Sequence, residues 1–93
     1  METTEARLKR MRMRSWRRGT KEMDLILGPW SDERLAGMSE AALDLYDALL
    51  EENDQDLYPW ITGGQQCPEK YSVLLAEIGA FARARHRPAG SVR

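Results

Sequence analysis

An all-α fold, a single-domain compact bundle of about five short helices, is what this sequence predicts. Three observations predict it. Apolar residues recur at three- and four-residue spacing, whereas sustained alternation, β-branched runs and an Asn-Gly hairpin signal are missing. Residues suited to capping helices stand ahead of these periodic stretches. A length of 93 residues with 42% hydrophobic and 31% charged residues suits one globular domain with a modest core. Residues 1–93 therefore read as one domain, with about 1–4 and 87–93 frayed.

Each element has its own warrant. Thr3 or Thr4 can cap a first helix running to about Arg17, with Gly19 as its stop. Thr20 can cap the second, placing Glu22 and Asp24 in a first turn where the helix dipole favours acids. Met23, Ile26, Leu27 and Trp30 follow as one apolar stripe, and Gly28-Pro29 should kink or restart the helix before it ends near Gly37. Ser39 caps a third helix, which buries Ala42, Leu43, Tyr46, Leu49 and Leu50 and leaves Glu40, Asp44, Asp47 and Glu51 as a solvated face that could also meet a basic partner. Asn53 or Asp54 opens a short fourth helix ended by Gly63-Gly64. Pro68 at the first helical position opens a fifth, with Tyr71, Leu74, Leu75, Ile78, Phe81 and Ala82 as its stripe.

The net charge of -1 hides an asymmetry. Residues 1–21 carry eight Lys/Arg against Glu2 and Glu5, whereas residues 22–56 carry eleven acids against Arg34 alone. Such a dipolar chain can orient on a charged partner before contact. One cysteine, Cys67, fits a reducing compartment and argues against a structural zinc. No apolar run is long enough to span a membrane, and the arginine-rich start has no secretory h-region.

The junction "SWRRGTKEMDLIL" raises the functional question. Arg18 and Glu22 are four apart and would pair on an unbroken helix, for about 0.2–0.5 kcal/mol. Gly19 between them marks a boundary instead. A basic first helix bearing Trp16 also fits a small nucleic-acid-binding or regulatory interaction protein, although the acidic segment and a pI near 5.8 speak against nucleic acid. Leu8, Met11 and Ser15 make only a thin apolar edge for a membrane surface.

Arg18-Gly19-x-x-Glu22 resembles the RGxxE signature of the FAD assembly factor (SdhE) family of succinate dehydrogenase. "RLKRMRMRSWRRG" is similar to that family's basic first helix and "EMDLILGPW" to its second. "MSEAALDLYDALLEENDQDLYPW" and "CPEKYSVLLAEIGAFARARHR" are similar to its middle and last parts, so the likeness covers roughly residues 7–86. The resemblance implies a small helical bundle. It also implies an assembly factor, or chaperone, that binds the flavoprotein subunit of succinate dehydrogenase, and in some bacteria of fumarate reductase. There it promotes covalent attachment of FAD to a histidine.

On the same resemblance Arg18, Gly19 and Glu22 form the partner-binding patch, flanked by Arg14, Trp16, Arg17 and Asp24. FAD belongs to the partner, so no cofactor is expected to be bound permanently, and direct FAD binding stays open. No catalytic residue and no metal ligand is expected. His86 sits in the frayed end and Cys67 has no activating partner, so the chain reads as a maturation factor rather than an enzyme. It is further expected to be a monomer without nucleic acid or stable membrane insertion. Because the arginines run straight into the RGxxE stretch, a bacterial cytoplasmic location is expected rather than a mitochondrial presequence.

Overall fold

Thr3 accepts a hydrogen bond from the Ala6 amide at 3.0 Å and opens α1 (Thr4–Trp16). The computed structural model describes residues 2–85, and α2 (Lys21–Arg34), α3 (Glu40–Leu50), α4 (Asp54–Thr62) and α5 (Ser72–Arg85) follow. The described residues contain helices and loops and no strand, in agreement with the predicted class. Thr20 and Ser39 cap α2 and α3 as their residue types predict. Asn53 stands at the N-cap of α4, and Gly63 ends that helix in the left-handed region at φ +87°.

Two element expectations change. Gly28-Pro29 does not restart the second helix, since α2 runs on to Arg34 before a 3₁₀ turn at Leu35–Gly37. Pro29 removes only the one donor that would face the Leu25 carbonyl, and the rest of α2 continues through it. Pro68 opens a 3₁₀ turn, Glu69–Tyr71, rather than the fifth helix itself, which begins at Ser72. At the amino end, Glu2 accepts from Arg10 at 2.8 Å and Thr3 is a cap, so the fraying expected there does not extend to them. Met1, His86 and the tail 87–93 lie outside the described residues.

The apolar stripes meet as read. Met23, Leu27 and Trp30 of α2 pack with Tyr46 and Leu49 of α3, Leu57 of α4, and Tyr71, Leu75 and Ile78 around α5. Trp30 and Phe81 meet edge to face with centroids 5.7 Å apart, and the Arg34 guanidinium lies over both rings. Gly79 has a packing reason: a Cβ there would stand 3.2 Å from the Ile61 carbonyl oxygen of α4. α1 contributes Met11 and Ser15, both fully buried, and the Ser15 hydroxyl joins the Tyr46 phenol at 2.7 Å across the α1–α3 seam. Burial is the main reason the Tyr46 phenol is held well above its ordinary pKa.

The acids of α3 are largely solvated, as read, and they also meet the basic first helix. Arg7 meets Asp44 at 2.6 Å, Arg10 meets Asp47 at 2.8 Å, and Arg14 meets Glu51. Each pair is 37 residues apart in the chain, and a constant separation requires α1 and α3 to run parallel. The basic and acidic segments that suggested a long dipole therefore neutralise one another side by side. The Arg10 hydrogen bond is the largest cause holding the Asp47 carboxyl below its ordinary value.

Candidate functional site

The parallel packing of α1 and α3 fixes the junction between α1 and α2 beside the end of α3. Gly19 sits in the left-handed region at φ +104°, exposed, and a Cβ built there meets nothing within 4 Å. Its requirement is conformational, because its own chain does not crowd it and the space above stays open. Asp24 closes the turn from inside by accepting the Arg18 amide at 2.6 Å, and Thr20 caps α2 by accepting from Met23 at 3.3 Å.

Arg18 turns inward. Its side chain is 7% exposed, and all three guanidinium nitrogens donate within the chain. Nε reaches Asp54 Oδ1 at 2.9 Å, Nη1 the Leu50 carbonyl at 2.7 Å, and Nη2 the Glu52 carbonyl at 2.9 Å. Those carbonyls lie at the C-terminal end of α3, where helix geometry leaves acceptors unfilled and the dipole favours a cation. Arg14 shares the Leu50 carbonyl at 3.0 Å. The Arg18 fork is thus engaged by this chain's own carboxylate and carbonyls. Nor does Arg18 pair with Glu22, because Gly19 breaks the helix that would have aligned them.

The seven sequence-predicted residues divide by direction. Gly19, Glu22, Arg17 and Trp16 face outward, while Arg18, Arg14 and Asp24 build the turn from behind. Glu22 borders a shallow hollow with Thr20, Met23, Gln55 and the half-exposed Tyr58. Trp16 lies across α2. Its ring covers Gly28, where a Cβ would stand 2.3 Å from the indole, and its Nε1–H donates to both Asp32 oxygens at 3.2 Å.

Sequence reading did not find Gly28, Asp32 and Asp54 as supports of this junction. A weak signal existed for the first two, since Gly28 and Asp32 share one face of α2 at a spacing of four. For Asp54 there was none, because its partner is 36 residues away.

The basic helix is not a free phosphate-binding face, for Arg7, Arg10, Arg14 and Arg18 are engaged by α3 and α4. Four of the eight cations behind the nucleic-acid alternative are thus used within the chain. Among the described residues no helix is long and apolar enough to cross a membrane, and no group of three or more His, Cys, Asp or Glu is placed to hold a metal ion.

Residues 9–82 match the model of a family described as flavinator of succinate dehydrogenase. The chain is 33% identical over 86 residues to succinate dehydrogenase assembly factor 2, mitochondrial, of Schizosaccharomyces pombe, a span of 90% of this chain and 62% of the relative. The protein of the same name in Yarrowia lipolytica is 35% identical over 91 residues, 92% of this chain and 63% of the relative. Assembly factor 2-B, mitochondrial, of Drosophila mojavensis is 33% identical over 79 residues, 83% of this chain and 50% of the relative. The chain thus spans only half to three fifths of the length of these curated relatives. These relatives are eukaryotic and named as mitochondrial, which overturns the expected bacterial cytoplasmic location. The run of arginines into the RGxxE stretch addressed only whether those residues resemble a presequence, and it carried no information about compartment.

Proposed function

The chain belongs to the family described as flavinator of succinate dehydrogenase, and from that premise we propose that it binds the flavoprotein subunit of succinate dehydrogenase through the α1–α2 turn. Bound there, it promotes covalent attachment of FAD to a histidine of that subunit. The observation that carries this reading is the turn itself: an exposed glycine with open space above it, flanked by outward Arg17 and Glu22 and locked from behind by Arg18 and Asp24.

A turn locked in this way loses little conformational freedom on docking. Gly19 lets a partner backbone approach, Glu22 takes a cation of the partner, and Arg17 takes an anion or a carbonyl. The flavin, which is the partner's group, supplies the reactive electrophile. What the docked chain contributes is geometry, holding the immature subunit in an arrangement where its histidine is in line. On this reading the chain is a maturation factor with no permanent cofactor of its own.

The test is flavin fluorescence of the denatured flavoprotein subunit after incubation with FAD and each variant. Glu22→Ala and Gly19→Arg are expected to lower covalent flavin about tenfold, the equivalent of about 1.4 kcal/mol. Gly19→Asn separates backbone from surface, because asparagine accepts positive φ more readily than arginine while still adding a side chain. Circular dichroism should show the helices intact in all three. Undiminished flavinylation with both Glu22→Ala and Gly19→Asn would remove the turn from the mechanism.

A further inference from the structure

α1 has a second face that the parallel packing leaves uncovered. Met13 is 45% exposed and Trp16 38%, and Leu25 of α2 is 39% exposed. Lys9, Met13 and Trp16 are spaced four and three apart on α1, and Lys21, Leu25, Gly28 and Asp32 recur at four, three and four on α2. Trp16 sutures the two rows, since its ring covers Gly28 and its indole N–H reaches Asp32. The result is one surface crossing both helices, continuous with the Arg17–Glu22 turn.

Its charge is one-sided. Lys9, Arg17 and Lys21 are exposed and have no ion-pair partner among the described residues. The carboxylate at its centre, Asp32, is already engaged by Trp16 and lies 3.5 Å from Arg12. Glu5, one turn before Lys9, and Glu22 stand only at its two ends. Three half-exposed apolar side chains ringed by unpaired cations are complementary to an acidic protein surface bearing an apolar side chain.

We infer that this α1–α2 face is a second docking surface for the same flavoprotein partner, seating an acidic, apolar-centred patch while the Gly19 turn holds its own contact. This inference rests on the reading of the turn given above, and it enlarges the interface from one loop to a two-helix face. Continuity with the turn favours the protein partner over a lipid surface, because one rigid body engages both contacts at once.

Binding of the 93-residue chain to the purified flavoprotein subunit, before flavin attachment, tests it. Leu25→Glu and Met13→Glu each place a carboxylate opposite the expected acidic patch, and each should raise Kd at least about tenfold. Both positions are exposed, so the fold is retained, and circular dichroism checks this. The triple variant Lys9→Gln/Arg17→Gln/Lys21→Gln should flatten the dependence of the association rate on ionic strength.

If Glu22→Ala weakens binding while Leu25→Glu and Met13→Glu bind as the parent does, the second surface is wrong and the turn stands. If the parent itself does not bind the subunit, both readings fall together. Sedimentation with vesicles of phosphatidylglycerol and phosphatidylcholine supplies the rival. Parent binding there that Leu25→Glu abolishes, with subunit binding untouched, assigns the face to lipid and overturns the inference.

Discussion

The two faces of α1 are made of similar residues and end in opposite states. On one, Arg7, Arg10 and Arg14 descend at helical spacing and each finds an acid of α3, and Arg18, just past the helix end, reaches Asp54 of α4. On the other, Lys9, Met13, Trp16 and Arg17 meet no acid of α3. A count of basic residues sees eight equivalent cations, whereas packing engages four with α3 and α4. It sets Arg12 beside Asp32 of α2 and leaves Lys9, Arg17 and Lys21 without an ion-pair partner among the described residues. Within α1 helix phase decides the division, because a cation faces α3 only if its position projects toward the seam that Met11 and Ser15 bury. Arg17 and Arg18 are aimed by the turn that follows the helix. The arginine of the RGxxE motif belongs to the closed row and the glutamate to the open surface, so one five-residue signature serves both faces.

The sharpest way to break the comparison is Arg18→Ala. It leaves a largely buried carboxylate and two carbonyls short of their donors, at a cost of about 3 kcal/mol by urea denaturation. Arg18→Lys should recover little, because one ammonium cannot span three acceptors in a fork. If Arg18→Ala unfolds at the parent's urea midpoint, the closed face is not a stability element.

Gly28→Ala comes next, with a sign that depends on Trp16. The added Cβ overlaps the indole and should destabilise by about 1 kcal/mol net. In a Trp16→Ala background the same change removes a helical glycine without a clash and should stabilise by up to about 1 kcal/mol. A double-mutant cycle reads the reversal, and its absence would mean that Trp16 does not rest on Gly28.

The closed face should also show itself in acid. Asp47 is held below its ordinary pKa of 3.8 chiefly by the Arg10 hydrogen bond, so its contribution is present above that value and is lost as pH falls through the lower folded one. Asp47→Asn should therefore be less stable than the parent at pH 7 by up to about 1 kcal/mol, and the two should converge below pH 3.8. A difference that persists unchanged into acid would assign the loss to something other than that charge. The smallest effect belongs to the open face: Lys9→Ala should move stability by no more than about 0.5 kcal/mol. A larger loss there would show that this face is also structural.

Much of the fold was legible because its causes are local. Thr20 and Ser39 cap where their side-chain oxygens predict, and the stripe Met23, Ile26, Leu27 and Trp30 is buried as its period requires. Of the kink or restart expected at Gly28-Pro29, the restart does not occur, because a proline costs one donor and the turns on either side keep theirs. At the site, Gly19 was legible as a break and Glu22 as an outward charge. The direction of Arg18 was not, because its acceptors lie 32 to 36 residues onward.

By itself the sequence determined the helices, the glycine that ends the first of them and the apolar stripes of α2, α3 and α5, since each follows from a period, a cap or a backbone preference within a few residues. Only the tertiary structure decided which cations are free. Neutralisation requires an acid at hydrogen-bonding distance, and here that distance exists because α3 lies parallel to α1, matching the two rows turn by turn across a constant chain separation.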